Sequence, residues 1–147
     1  MNKKFSYKID KSGKSDAIFV NSRFQIKNKD IINLKKKGKN KSILRLCLHK
    51  NKKSSLHCML LYLKKKNQNL IHSHKNRDEV YILIEGKMKI KIFDKKKRLK
   101  EAFILDKKNP IYFMNKKVIH LTESITNHCI FLEVRKGPFI RKDTQFY

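Results

Sequence analysis

Apolar and polar residues alternate in short runs through most of the chain from residue 43 onward. A period of two recurs between polar turns, and no run in this region keeps the spacing of an amphipathic helix. In the stretch 87–92, lysines alternate strictly with Met88, Ile90 and Ile92. This alternation predicts a strand with an apolar face toward the core and its lysines toward solvent. The pattern is typical of an all-β domain.

Eight segments have the length and composition of strands, which is the number of strands in a jelly roll. They are 56–63, 69–74, 79–84, 87–93, 99–105, 111–114, 118–122 and 129–134. No internal repeat interrupts the series. The sequence therefore predicts a single jelly-roll β-barrel.

The first 42 residues follow another pattern. Short alternating stretches at 5–9 and 17–20 predict two extra strands at sheet edges, or ordered arms. Asp30 precedes an apolar stretch and predicts the N-cap of a short helix, which Gly38 is placed to terminate. We therefore expect an N-terminal arm over residues 1–42 and the barrel domain over residues 43–147.

The chain of 147 residues has a net charge of +26, from 38 Lys and Arg against 12 Asp and Glu. This charge would attract nucleic acid, an anionic membrane or an anionic substrate. The lysines are spread over every segment, however, and arginines are few, whereas a nucleic-acid site favours a localised basic stripe. We therefore expect most lysines to form a solvated outer face, with nucleic-acid binding as the minor alternative.

Three cysteines occur at wide spacing and without a C-x-x-C pair. This pattern argues against a disulfide framework and against a thiolate zinc site. The sequence also has no N-terminal apolar run of signal length and no run that could span a membrane. We therefore expect a soluble protein of the reducing cytoplasm.

The strongest chemical pattern lies between residues 72 and 86. His72 and His74 are two apart in a predicted strand, so both imidazoles should face one side of a sheet. The polar turn 75–78 can reverse the chain so that the next strand runs antiparallel, with Glu79 opposite the histidines. The sequence thus predicts that two nitrogens and one carboxylate converge.

This spacing resembles the first motif of the cupin superfamily, in which H-x-H is followed after four residues by E and after six more by G. Lys66 stands where that motif has its leading glycine. A later segment resembles the second motif, P-x-G-x-x-H, with Asn115 and Lys117 at the proline and glycine positions and His120 at the histidine. The resemblance implies a cupin-type jelly-roll β-barrel in which His120 is the fourth ligand of a metal.

Three histidines and a glutamate suit Fe, Mn, Ni, Zn or Cu and are poor ligands for Mg or Ca. We therefore expect one divalent transition metal, held by His72, His74, Glu79 and His120. Four protein ligands leave two octahedral positions for water, oxygen or substrate. A metal-free site is the alternative, because cupin-fold sugar-nucleotide ketoisomerases use polar residues alone.

Three segments resemble the WbuC family of cupin-fold metalloproteins: 45–49 with 56–63, the motif segment, and 131–139 with Asp143 and Phe146 after it. Members of that family are associated with gene sets for O-antigen and other surface polysaccharides. The resemblance implies a carbohydrate or nucleotide-sugar substrate and, for an enzyme, a metal-dependent isomerase or epimerase. A non-catalytic metal-dependent sugar-binding or regulatory cupin is the competing prediction. No residue is indicated as catalytic, and a homodimer is an expectation from the superfamily alone.

The other candidate polar residues have simpler explanations. His49 is the remaining histidine most able to line the pocket, but we expect it to lie outside the ligand set. Tyr81 is expected to be a core or rim aromatic residue with its hydroxyl bonded. Arg45 and Arg135 could clamp an anionic substrate, since a guanidinium binds carboxylate or phosphate through two parallel bonds.

Overall fold

The computed structural model describes residues 7–11, 15–20, 25–66 and 70–147. These residues form twelve strands, one α-helix and one short 3-10 helix. The strands are β1 Tyr7–Asp10, β2 Asp16–Val20, β3 Ile43–Cys47, β4 Leu56–Lys64, β5 His72–His74, β6 Glu79–Glu85, β7 Met88–Phe93, β8 Leu99–Leu105, β9 Ile111–Met114, β10 Ile119–Ser124, β11 His128–Lys136 and β12 Thr144–Phe146. The helix α1 spans Asn28–Gly38, and the 3-10 helix η1 spans Arg141–Asp143.

Two sheets pack face to face as a jelly roll. The seven-stranded sheet has the order β1-β2-β3-β4-β11-β6-β9, and the five-stranded sheet has the order β12-β5-β10-β7-β8. Neighbouring strands run antiparallel except β2 and β3, which are parallel. The all-β jelly-roll prediction is therefore confirmed.

The eight predicted strands correspond to β4–β11. Their alternation places side chains as expected, because Met88 and Ile90 are fully buried whereas Lys89 and Lys91 are only partly buried. The strand predicted at 69–74 is shorter, since β5 begins at His72 and Asn69 lies outside the described residues. The sequence did not predict β3 or β12.

The core lies between the sheets, and a second apolar layer lies under the helix. The inner layer includes Met59, Leu61, Leu63, Leu83, Met88, Ile90, Cys129 and Phe131. On the outer face of the seven-stranded sheet, Leu34 of α1 packs with Leu44, Leu60, Tyr62 and Ile130. Each fully buried aliphatic side chain stabilises the fold by roughly 1.5–3 kcal/mol.

The helix begins earlier than the sequence suggested. Its N-cap is Lys27, and Asp30 occupies the third helical position, so the prediction of Asp30 as N-cap is wrong. The Asp30 carboxylate instead accepts a hydrogen bond from the Lys27 backbone N–H at 2.8 Å. It therefore reaches back to the cap from inside the first turn, as the acidic residue of a capping box does.

Gly38 is the last helical residue, and the C-cap Lys39 keeps a right-handed φ of −50°. A Cβ on Gly38 would lie 2.5 Å from Cδ1 of Tyr62. Glycine therefore serves here for close approach of the helix to the sheet, and not as a left-handed helix terminator.

The N-terminal strands extend the seven-stranded sheet. β1 forms its edge, and β2 pairs with β1 on one side and with β3 on the other. Of the predicted stretch 5–9, residues 5 and 6 lie outside the described residues. The division of the chain at residue 42 stays a prediction.

Within the part of the chain that the structure describes, no helix has both the length and the apolar character needed to cross a membrane.

Candidate metal centre

Three histidines meet inside the barrel. His72 and His74 project from β5 toward the interior, and His120 of β10 stands directly opposite His72 in the paired strands. Their ligand nitrogens all lie within 4.8 Å of one another. The residues His74 and His120 are 4% and 1% exposed, whereas His72 is partly exposed.

Hydrogen bonds fix the orientation of two of these rings. Nδ1 of His72 lies 2.9 Å from the Leu70 carbonyl oxygen, and Nδ1 of His120 lies 3.0 Å from the Val118 carbonyl oxygen. A carbonyl oxygen only accepts, so each Nδ1 carries the hydrogen and donates. In the neutral ring, Nε2 then has a free lone pair, which is the arrangement found in metal-ligating histidines.

Burial favours the neutral form of both rings. It lowers the pKa of His72 to about 4, with a further contribution from the nearby His120. Burial also lowers the pKa of His120. Both imidazoles are therefore unprotonated at neutral pH, as metal ligation requires.

Glu79 approaches the histidines from the other sheet. β5 pairs with β10 and β12, whereas β6 pairs with β11 and β9. The predicted antiparallel pairing of the two motif strands is therefore wrong: the segment 75–78 crosses from one sheet to the other. Glu79 still faces the histidines, because the two strands line opposite walls of one interior.

The Glu79 carboxylate is 2% exposed and has several partners. Its Oε1 lies 3.1 Å from Nε2 of His74 and 3.2 Å from Nη1 of Arg135. Its Oε2 accepts a hydrogen bond from the Tyr81 hydroxyl at 2.5 Å and lies 4.0 Å from Nε2 of His120. Glu79 thus adjoins the histidine group, and its coordination of a metal would replace some of these contacts.

The charge on Glu79 is stabilised by the same partners. Burial alone would raise the pKa of this carboxyl, but the hydrogen bond from His74, the charge of Arg135 and the hydrogen bond from Tyr81 hold it well below its usual range. Glu79 is therefore anionic at neutral pH.

Tyr81 has a role that the sequence did not indicate. Its ring packs in the core, but its hydroxyl bonds to Glu79 and lies 3.4 Å from Nε2 of His120. Burial and the neighbouring Glu79 raise the pKa of Tyr81 well above its usual value. The hydroxyl therefore keeps its proton and remains a hydrogen-bond donor beside the histidines.

Of the two arginines that could have clamped a substrate, Arg135 is engaged by carboxylates, and burial lowers the pKa of Arg45. Nη1 of Arg135 lies 3.2 Å from Glu79 Oε1 and 3.0 Å from Glu133 Oε1. A second arginine, Arg77, reaches Glu79 with its Nε at 3.4 Å and was not identified from the sequence. Of these contacts, only the one between Arg135 and Glu79 joins strands distant in sequence, and local alternation gives no signal for it. Arg77 lies two residues before Glu79, and Arg135 lies two residues after Glu133 on β11, so these two contacts are local.

The turn before His120 has a left-handed residue at the position where the resembled motif has glycine. Lys117 has a left-handed φ of 65° and donates its backbone N–H to the His74 carbonyl at 2.6 Å. Lys66, at the leading glycine position of the first motif, also has a left-handed φ of 61°. Both lysines therefore adopt the backbone conformation that usually favours glycine.

His49 lies outside the histidine group. Its ring stacks on His57 with centroids 4.1 Å apart, and its Nδ1 lies 3.2 Å from the backbone nitrogen and 3.1 Å from the carbonyl oxygen of Cys58. Both rings are buried, which is consistent with a structural role.

The chain matches one family model, a domain of unknown function (DUF6016), over residues 26–105. No curated protein shows significant sequence similarity to it.

Solved structures of cupin fold are similar to the chain at low identity. They include the oxalate decarboxylase formate complex of Lactobacillus farciminis, with a TM-score of 0.51, 17% identity, and coverage of 63% of this chain and 27% of that one. CapF with the inhibitor 3-isopropenyl-tropolone has a TM-score of 0.57 and 12% identity, with coverage of 71% of this chain and 31% of that one. HppE in the Fe(II) form has a TM-score of 0.51 and 19% identity, with coverage of 63% of this chain and 49% of that one.

The chain therefore covers less than half the length of each of these proteins. At these identities the likeness shows the fold alone, and it confirms a cupin-type jelly roll. The matches do not confirm the narrower WbuC resemblance.

Proposed function

The chain belongs to the DUF6016 family, and we propose that it is a small metal-binding cupin that acts on, or binds, a carbohydrate or nucleotide-sugar intermediate of surface-polysaccharide synthesis. His72, His74 and His120 would hold one divalent transition metal through Nε2, with Glu79 as the fourth ligand. The observation that carries the proposal is the convergence of three imidazoles within 4.8 Å, in a buried site beside an anionic carboxylate.

The residues present fit such a metal. The donor set of imidazole nitrogens with a carboxylate is typical of Fe, Mn, Ni, Zn and Cu sites. The Nδ1 hydrogen bonds of His72 and His120 to main-chain carbonyls already direct Nε2 inward. When bound, the metal would supply Lewis-acid polarisation of a substrate oxygen. Around it, Tyr81 would donate a hydrogen bond, and Arg77 and Arg135 would hold the Glu79 carboxylate in place.

The substrate class is supported by two weaker observations. Segments of the sequence resemble the WbuC family, which is associated with polysaccharide gene sets. The net charge of +26 would raise the local concentration of an anionic compound such as a nucleotide-linked sugar.

Metal content tests the metal site directly. Protein purified without chelator should contain about one equivalent of a transition metal by elemental analysis. His72→Ala and Glu79→Ala should lose that metal, because each removes a donor from a small ligand set. His49→Ala is the matched control and should retain it, since His49 is a buried histidine outside the group. Retention by His72→Ala, or loss from His49→Ala, would contradict the assignment.

Turnover distinguishes an enzyme from a binding module. Loaded protein and chelator-treated protein should be incubated with a panel of nucleotide-linked sugars, and products assayed for isomerisation or epimerisation. Saturable binding without any product would support the sugar-binding or regulatory alternative.

A metal-free site is the second candidate, and one observation favours it. Glu79 is already satisfied by His74, Arg135 and Tyr81, so the buried charge needs no ion to balance it. A metal-free ketoisomerase-like cupin would show turnover that chelator treatment leaves unchanged.

A further inference from the structure

The C-terminal segment, residues 141–147, forms one wall of the histidine site. Its strand β12 pairs with β5 so that Thr144 stands opposite His74 and Phe146 opposite His72. Beyond the strand, the Tyr147 backbone N–H donates to the Ile71 carbonyl at 3.0 Å. The segment therefore lies along the whole of the strand that carries two of the three histidines.

Asp143 fixes the start of this segment. Its backbone carbonyl accepts from the Lys75 N–H, and its Oδ1 accepts from the Asn76 N–H, each at 2.9 Å. Its Oδ2 lies 3.1 Å from Nη1 of Arg77, and the residue is 5% exposed. These contacts tie the C-terminal segment to the link between β5 and β6.

Among the three site histidines, Thr144 contacts His74, whose Nδ1 faces a hydroxyl where the other two face a main-chain carbonyl. Its Oγ1 lies 3.2 Å from Nδ1 of His74 and 3.1 Å from Nη2 of Arg77. The guanidinium can only donate, so it occupies one lone pair of the hydroxyl oxygen. The hydroxyl hydrogen and the other lone pair remain for His74.

His74 needs different tautomers in the two states of the site. Its Nε2 lies 3.1 Å from the Glu79 carboxylate, which only accepts, so in the neutral metal-free ring Nε2 carries the hydrogen and Nδ1 accepts. Coordination through Nε2 requires the opposite tautomer, with the hydrogen on Nδ1. A carbonyl beside Nδ1 would serve only the second tautomer, whereas a hydroxyl can donate in the first and accept in the second.

We propose that Thr144 is a positioning residue of the site, whose hydroxyl holds the His74 ring in both tautomers and so permits metal to replace the contact with Glu79. The inference rests on the proposed metal function and concerns the residue that prepares His74 for it. The chemical class of ligand is a divalent transition metal, and Zn²⁺ is a suitable probe.

The first test measures Zn²⁺ affinity by competition with a chromophoric chelator. Thr144→Val keeps the shape of the side chain but removes the hydroxyl, and should weaken the affinity by about 10–100-fold. Thr144→Ser restores the hydroxyl and should bind within about threefold of wild type. Thr126→Val is the matched control: its hydroxyl also makes two hydrogen bonds, to Lys87 and His128, but it contacts none of the three histidines.

The results distinguish the proposed metal-binding function from the positioning role of Thr144. Wild-type protein that binds no Zn²⁺ would refute the proposed function. Wild-type protein that binds Zn²⁺ while folded Thr144→Val binds it equally well would overturn the role of Thr144 and leave the metal site standing.

A second measurement does not depend on the folding of a variant. Long-range ¹H–¹⁵N spectra of the wild-type histidine rings should show the His74 hydrogen on Nε2 without metal and on Nδ1 with Zn²⁺. The same tautomer in both states would overturn the proposal, because the Thr144 hydroxyl would then not need to change between donating to His74 and accepting from it.

Discussion

Lys117 shows how a single residue can occupy an unfavourable conformation without changing the site. A left-handed backbone costs an L-residue about 1–2 kcal/mol relative to the right-handed region. The structure accepts this cost at Lys117, where φ is 65°, and the N–H of that residue bonds to the His74 carbonyl. The turn therefore leads into β10, the strand that carries His120, although a lysine occupies a backbone conformation that usually favours glycine.

Replacing Lys117 with glycine should stabilise the protein. Removal of the left-handed strain outweighs the larger unfolded-state entropy of glycine, so the free energy of unfolding should rise by about 0.5–1 kcal/mol. Urea denaturation of chelator-treated protein measures it. Lys116→Gly is the control in the same turn: Lys116 has no positive φ, and this variant should lose about 0.5–1 kcal/mol. Equal destabilisation by both variants would show that the left-handed conformation carries no strain.

Some site residues could be placed from local sequence patterns, and others only from contacts between distant parts of the chain. His72, His74 and Glu79 follow from strand alternation and a short link, and the sequence predicted that they converge. Tyr81 was expected to be a core or rim aromatic residue with its hydroxyl bonded. It lies two residues after Glu79 on β6, and its hydroxyl bonds to Glu79 and also approaches His120 of the other sheet. Thr144 meets His74 from 70 positions away in sequence, and such a pairing has no local signal.

At the level of elements, period-two alternation was sufficient to find the strands that are buried on one face. This alternation did not reveal β12, because a strand of three residues is too short to show a period. The assignment of partners failed for the motif strands, because a four-residue polar link can close a hairpin or cross between packed sheets. Only the packing of the whole barrel decides between these two outcomes.

The contact between α1 and the sheet gives a prediction at this scale. Gly38→Ala would normally stabilise a helix by about 1 kcal/mol. Here the added Cβ would lie 2.5 Å from Cδ1 of Tyr62, and overpacking of this kind costs about 1–3 kcal/mol. We expect a net decrease in thermal stability, measured by circular dichroism. Asn33→Ala, at an exposed position of the same helix, should be neutral or slightly stabilising, and a Gly38→Ala protein more stable than wild type would contradict the packing argument.

For the whole molecule, the histidines set the response to acid. Burial lowers the pKa of His57 to about 4, and a histidine in the unfolded chain has a pKa near 6.5. Between these two values the unfolded state binds the proton and the folded state does not, so stability falls as pH decreases. Each such imidazole contributes about 1.4 kcal/mol per pH unit within this range.

Urea denaturation in chelator should therefore give a constant free energy of unfolding above pH 7 and a steady decrease from pH 6.5 to about 4. His57→Gln should reduce the slope, since it removes one of the groups that bind a proton on unfolding. A slope unchanged in this variant would show that His57 is protonated in the folded protein.

The crossing of residues 75–78 between the sheets has a mechanical consequence. The three histidines belong to one wall of the barrel and Glu79 belongs to the other. An ion coordinated by all four residues would link the two sheets directly. Sliding one sheet past the other would then have to break coordination bonds as well as apolar contacts. Coordination would then stiffen the barrel where β5 and β10 face β6 across the interior.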